Sequence, residues 1–234
     1  MGPPAGSVYG EAKALRPDGN EGVRDISRVL WMGGAPCAGK SSIADLLAAQ
    51  YGWQVYRCDD AYPVHTERAT PDEQPLLYRF ARMSWDEIWM RPVHVQVKDE
   101  IAVYREQFPL ILDDLARLAP GPVIAEGAAL LPEFVAEVLT DSWRAVWVVP
   151  TADFVWTRYR QRGEWVDGIL QQCGDPEECF RRWMERDIAF AEHAAAGAAA
   201  RGWRVIWVDG SRSIQEHAQE VAEWFRPALQ ASRD

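Results

Sequence analysis

The sequence predicts an α/β fold built on a mainly parallel sheet. Five short apolar runs with β-rich character recur along the chain, and segments of helical periodicity separate them. A glycine-rich stretch joins the first run to the first helical segment, as a strand–loop–helix unit requires.

The elements follow in order. The first strand is expected at Val29–Gly33, a helix at Lys40–Gln50 and the second strand at Trp53–Cys58. The interval from Asp60 to Pro122 is too long for a simple crossover and reads as a helical insertion over about 61–121. Within its long helical region, Trp85 to Leu118, the residues Ile101, Tyr104, Phe108, Leu112, Leu115 and Leu118 make one apolar stripe. Pro109 lies inside that stripe and is expected to kink or restart the helix. Such an insertion either shapes a substrate pocket or extends the core, and periodicity does not choose between them. The third strand is expected at Pro122–Glu126, a helix at Pro132–Leu139, the fourth strand at Trp143–Val149 and a helix at Ala152–Arg162. A long helix at Pro176–Ala200, the fifth strand at Trp203–Asp209 and a last helix at Ile214–Leu229 complete the pattern.

Residues 1–25 are rich in Gly and Pro and read as a loose tail, leaving 26–234 as a single domain. The tail lacks the apolar stretch of a secretory signal, and no apolar run reaches the ~18 residues of a membrane helix. The four cysteines, Cys37, Cys58, Cys173 and Cys179, form no CxxC pair and no zinc spacing. Reduced thiols in a cytoplasm, without a membrane, fit these features. With 35 acidic against 25 basic residues the formal net charge is −10, which disfavours a polyanionic partner, so no nucleic acid is expected.

Residues 34–41, GAPCAGKS, satisfy G-x-x-x-x-G-K-[ST] in the required context, after a strand and before a helix. Gly34 and Gly39 permit backbone geometry that turns the N–H groups of Gly34, Ala35, Cys37, Ala38 and Gly39 toward a phosphate, while Pro36 occupies a free position. Lys40 is placed to reach the β- and γ-phosphates of a nucleotide, ATP or GTP, and Ser41 to ligate Mg²⁺, while Ser42 either bonds an α-phosphate or packs. Cys37 either has a lowered pKa at the helix start or is a small filler.

After the second strand comes CDDAY, residues 58–62. Carboxylates at the C-terminal end of a parallel strand face the crevice where such sheets bind ligands. Asp59 or Asp60 would orient or deprotonate an acceptor hydroxyl, or else cap the next turn. The third strand ends in Glu126, which would hold Mg²⁺ directly or through water, or contact the substrate instead; Gly127 allows the turn after it.

These motifs resemble the P-loop kinases of the nucleoside monophosphate kinase type, and among them chloramphenicol phosphotransferases, uridine kinases and zeta-toxin kinases. The resemblance rests on GAPCAGKSS, CDDAY, VIAEG, TRYRQRG and VIWVDGSRSIQE, spread from residue 29 to about residue 216. It implies a five-stranded parallel sheet of order 2-3-1-4-5 and an arginine-bearing lid at about 158–187. It implies Asp59, followed by Tyr62, as the catalytic base with Asp60 second, and Asp59 as a further metal candidate. Lid arginines would clamp the transferring phosphoryl group: Arg158 and Arg162 at i and i+4, with Arg160, Arg182 and Arg186 as further candidates. Gly210 and Arg212 would lie near the adenine. In the insertion, Arg79, Arg82 and Arg105 are substrate candidates, with His65, Arg91 and His94 beside them, and Trp85 and Trp89 would wall a planar substrate.

The expectation is an ATP- and Mg²⁺-dependent phosphotransferase acting on a hydroxyl of a small molecule such as an antibiotic, nucleoside or sugar. The alternative is a nucleotide-hydrolysing switch or binding protein without a small-molecule acceptor. Monomer and homodimer both remain open.

Overall fold

The computed structural model describes residues 26–231, so the tail expected at 1–25 lies outside the described residues. Five strands, β1 (Val29–Gly34), β2 (Gln54–Arg57), β3 (Val123–Glu126), β4 (Ala145–Pro150) and β5 (Arg204–Val208), form one sheet in the order β2-β3-β1-β4-β5. Every pairing is parallel, and this is the order that the resemblance implies.

Alternation along the central strands builds two cores, because successive side chains leave a strand on opposite faces. Val29 and Trp31 of β1, Val123 and Ala125 of β3, and Ala145, Trp147 and Val149 of β4 enter one cluster. Leu30, Met32, Ile124, Val146 and Val148 enter the other. The first face is covered by α5 (Val93–Arg117), α6 (Pro132–Val135) and α9 (Pro176–Ala199). The second is covered by α1 (Lys40–Tyr51), α10 (Ile214–Trp224) and α11 (Arg226–Ala231). Strands sealed on both faces read as continuous apolar runs, which is why they stand out in the sequence.

The insertion is a chain of helices: α2 (Cys58–Arg68), α3 (Pro75–Phe80), α4 (Trp85–Trp89) and then α5. Two expectations change here. The long helix does not start at Trp85; α4 ends at Trp89 and Pro92 is the N-cap of α5. Pro109 does not restart α5, which runs unbroken for 25 residues. Pro109 is exposed, so the carbonyl it leaves unpaired one turn back lies on the solvent side of the helix.

Three more boundaries move. Trp143 belongs to a 3-10 turn, Ser142–Arg144, and β4 begins at Ala145. The helix expected at Ala152–Arg162 ends early as α7 (Ala152–Arg158), followed by a 3-10 turn at Tyr159–Gln161 and then α8 (Glu164–Leu170). The last helix divides into α10 and α11, with Pro227 one residue into the second. Among the described residues no helix is long and apolar enough to cross a membrane.

Candidate active site

The site starts where β1 meets β4. Gly34 pairs with Val148 so closely that a Cβ there would stand 1.9 Å from the Val148 carbonyl oxygen, and its φ is +135°. The chain then turns through Cys37, the one non-glycine residue with positive φ (67°) among those described, and Gly39 (φ 78°), the N-cap of α1. No side chain caps the first turn of α1. Its N–H groups and the positive end of the helix dipole therefore face the loop, a ready anion cradle. Lys40 is 8% exposed, and its Nζ donates to the Ala35 carbonyl at 2.7 Å, which folds the ammonium over the same cradle. Burial pushes the Cys37 thiol up, with Arg162, Lys40 and Arg158 pulling the other way, so the lowered value considered for it does not arise.

Two carboxylates sit at the adjoining strand ends. Glu126, at the end of β3, is in register with Met32 of β1 and Arg57 of β2, which brings it beside the loop. Ser41 Oγ donates to Glu126 Oε1 at 2.8 Å, and Arg57 Nε lies 3.8 Å from the same oxygen. Glu126 is only 4% exposed; burial raises its pKa, and the charge of Asp59 raises it further against Lys40, Ser41 and Arg57. Asp59 falls in the first turn of α2, because the strand before it stops at Arg57 and Cys58 already belongs to the helix. Gly127 (φ 154°) lets β3 end against that helix start: a Cβ on it would be 2.5 Å from the Cys58 Cβ.

One cavity of about 950 Å³ joins these groups. The residues Pro36 to Ser42, Asp59 and Glu126 form its middle. Toward β5 it is lined by Phe154, Gly210, Arg212, Ser213, Ile214 and His217. His217 is 2% exposed, burial lowers its pKa, and neither ring nitrogen has a hydrogen-bond partner. A neutral imidazole there can meet the edge of a base. Toward the insertion and α9 the walls are aromatic: Tyr62, Phe80, Trp85, Trp89, Tyr104, Trp165 and Trp183, with Glu100, Gln107 and Arg186 among them. Trp89 stacks on Trp183 at 4.7 Å between centroids and lies nearly parallel to Trp85 at 6.4 Å.

The structure brings together most of the residues singled out in the sequence. The loop from Pro36 to Ser42, Asp59, Tyr62, Glu126, Arg158, Arg162, Arg186, Gly210 and Arg212 all line the cavity. Gly34 and Ala35 lie just before it, Gly34 in the sheet and Ala35 buried, with its N–H on the Val148 carbonyl. Arg158 and Arg162 arrive without the continuous helix face expected for them: α7 ends at Arg158, and Arg162 closes the 3-10 turn, held between the rings of Tyr159 and Trp165.

Other candidates do not line the cavity. Asp60 is exposed on α2. Arg79 is exposed on α3, and Arg82 folds back onto the Tyr78 ring and carbonyl. Arg105 pairs with Glu137 and covers Phe134. Arg160 pairs with Glu177, and Arg182 is held by Glu178 and the Met90 and Arg91 carbonyls. Tertiary partners thus hold the guanidinium groups of Arg105, Arg160 and Arg182, and Tyr78, four residues back, holds that of Arg82. His65 is buried between Asp114 and Gln107 rather than open to a ligand, and Arg91 pairs with Asp99. The residues that sequence reasoning missed are mainly Gln107, Tyr159, Trp165, Trp183 and His217. Only Gln107 carried a signal, a polar residue three positions after Tyr104 beside the apolar stripe of α5.

No protein-family profile matches the chain, and no curated protein matches it. Solved structures do show likeness. A gluconokinase from Sinorhizobium meliloti 1021 is 14% identical over 87% of this chain and 94% of its own, with a TM-score of 0.42. A deoxyadenosine kinase from M. mycoides with bound dATP is 10% identical over 88% of this chain and 100% of its own, with a TM-score of 0.41. A shikimate kinase from Aquifex aeolicus is 15% identical over 86% and 98%, with a TM-score of 0.35. These are likenesses of outline alone.

Proposed function

We propose that the protein is a phosphotransferase that moves the γ-phosphoryl group of ATP to a hydroxyl of a small molecule. The observation that carries this is the sharing of one cavity by an uncapped helix N-terminus with Lys40, the Ser41–Glu126 pair, and the free-standing carboxylate of Asp59. A phosphate-holding loop alone would support binding; Asp59 between that loop and an aromatic chamber supports transfer.

In this reading the base lies against Phe154 and His217, and the phosphates run along the loop amides to Lys40. A hydroxyl and a carboxylate side by side are hard oxygen donors, which fits Mg²⁺. Ser41 and Glu126 would hold the ion, Glu126 directly or through water; when bound, it neutralises charge on the β- and γ-phosphates. Asp59 accepts the proton of the acceptor hydroxyl as the hydroxyl oxygen attacks the γ-phosphorus, and the bond from that phosphorus to the β–γ bridging oxygen breaks to release ADP. Arg158 and Arg162 lie on the short elements between β4 and α9 and donate to the equatorial oxygens as charge develops there. Arg158 is otherwise held by Gln161 at 3.0 Å, a contact weak enough to exchange for a phosphoryl oxygen. The segment 158–187 then acts as a lid whose closure excludes water and limits futile hydrolysis.

The test is acceptor-dependent ADP release with Mg-ATP. Lys40→Ala should lose nucleotide affinity, and Asp59→Asn should bind Mg-ATP normally while transfer falls at least a hundredfold. Rapid ATP hydrolysis that no hydroxyl compound accelerates would instead indicate a nucleotide switch.

A further inference from the structure

The acceptor chamber carries more information than its position. Its walls are near-parallel indoles and tyrosines, flat surfaces that suit a ring. On its insertion and α9 walls the charged groups are Glu100, which is negative, and Arg186, which is set between acidic groups, while Arg162 reaches it over the Trp165 ring. Arg186 is 5% exposed, with Nη1 2.7 Å from Glu100 and Nη2 3.0 Å from Asp187, and its guanidinium covers the Trp89 ring. Tyr104 donates to Glu100 at 2.7 Å, which uses more of that carboxylate. The insertion arginines that would greet a phosphorylated acceptor, Arg79, Arg82 and Arg105, do not line the cavity. An anionic acceptor would therefore meet Asp59 and Glu100 with no unpaired cation of the insertion to offset them.

Three buried residues that line the cavity keep polar atoms without hydrogen-bond partners at this end: Gln107, Trp89 and Arg186, the last at Nε and at Nη1, which stands beside Glu100 without bonding geometry. Gln107 is 1% exposed and lines the cavity; its Nε2 faces His65 Nδ1 at 3.2 Å, and its Oε1 has no hydrogen-bond partner. Trp89, also buried and lining the cavity, has an Nε1–H without an acceptor. A buried polar atom left unpaired is costly, so such atoms mark where a ligand supplies the missing half. Oε1 calls for an O–H or N–H on the ligand, and Nε1–H calls for an oxygen.

We infer that the acceptor is an uncharged polyol bearing an aromatic or heteroaromatic ring. Its ring lies on the Trp85–Trp89 wall, one hydroxyl reaches Asp59, and a second polar group meets Gln107 and Trp89. This rests on the phosphotransfer reading and narrows it. Aryl diols, aryl glycosides and nucleosides share the chemistry, and the test separates them.

Phenyl β-D-glucoside, 1-phenyl-1,2-ethanediol, uridine and adenosine are each offered with Mg-ATP beside glucose, gluconate and AMP, with ADP release as the readout. At least one ring-bearing neutral probe should raise ADP release tenfold or more above the acceptor-free rate, and the ring-free and anionic probes should not. Trp85, half-buried, is the variant position least disruptive to the fold. Trp85→Ala should raise the KM of the active probe about tenfold with little change in kcat, and Trp85→Phe should restore most of it. Binding of the active probe, followed by indole fluorescence, should survive in Lys40→Ala. Preference for gluconate, AMP or glucose, acceleration by none of the seven, or an unchanged KM in Trp85→Ala would overturn the inference. Mg-ATP binding is measured separately: its presence together with any of those results leaves the phosphotransfer reading standing, and its absence removes both.

Discussion

Glu126→Gln separates stability from activity at the centre of the site. The amide keeps the shape of the carboxylate, and Ser41 can still donate to the oxygen that replaces Oε1, a contact of 2.8 Å in the wild type. What disappears is a charge held in a residue only 4% exposed. Burial raises the Glu126 pKa above its ordinary value. For a raised carboxylate, the favourable contribution is complete below the unfolded pKa and is lost as pH rises through the folded one, so at pH 8 the ionised side chain weighs against the fold. The variant should thus match or exceed the wild-type Tm at pH 8, with a smaller advantage at pH 5. Ser41→Ala acts in the opposite sense. It strips a buried carboxylate of its one hydroxyl donor, which costs about 1–3 kcal/mol, or about 2–12 °C in a chain of this size. Turnover should fall at least about 10²-fold in Glu126→Gln, since the charge proposed to help hold Mg²⁺ against the phosphates is gone. Scanning calorimetry at both pH values and ADP release across a Mg²⁺ titration check this. A Glu126→Gln protein that unfolds more than about 5 °C earlier at pH 8 yet turns over within twofold of wild type would refute the reasoning.

Gly34→Ala should lower stability by about 2–6 kcal/mol, read by urea unfolding, because a Cβ 1.9 Å from a backbone oxygen adds to a φ of +135° that side chains avoid. Asp187 is buried beside Arg186, and burial, opposed by the Arg186 charge and helped by Glu100, lifts its pKa from 3.8 to about 6, so that protonation favours the folded state. That stability is present below pH 4 and lost as pH rises through about 6, so the Tm of Asp187→Asn relative to wild type should climb over this interval in a calorimetric pH series. Arg82→Ala and Arg105→Ala should leave kcat/KM within twofold, their guanidinium groups being engaged on Tyr78 and Glu137 outside the cavity.

The parts of the site that were legible in the sequence are those whose geometry is fixed by contiguous residues. The loop is one: Gly34, Gly39, Lys40 and Ser41 are tied to one another by the turn they make, so their spacing carries their meaning. Glu126 is another, because a run sealed on both faces ends in a carboxylate only where the strand reaches the crevice. The aromatic chamber proposed for the acceptor is different in kind. Trp85, Tyr104, Trp165 and Trp183 come from four helices, and in sequence an aromatic at helical spacing has the same appearance whether it faces a core or a cavity. Tyr104 shows the ambiguity directly: it belongs to the apolar stripe of α5, packs edge-on against Phe190, and still lines the cavity.

The arginines show why charge misleads where aromatics merely stay silent. A guanidinium in an insertion next to a phosphate loop reads as a hand extended to an anion, but its direction is decided by partners far away in sequence. Arg105 is turned outward by Glu137, 32 positions on, and Arg182 by carbonyls 91 and 92 positions back. Arg186, one helical turn beyond Arg182, does reach the cavity, yet it arrives with Glu100 and Asp187 already beside it. The insertion thus contributes flat rings and unpaired hydrogen-bonding atoms to the chamber while its positive charge is spent on the outer surface. That division is what moves the expected acceptor from a phosphorylated or carboxylated compound to a neutral one with a ring.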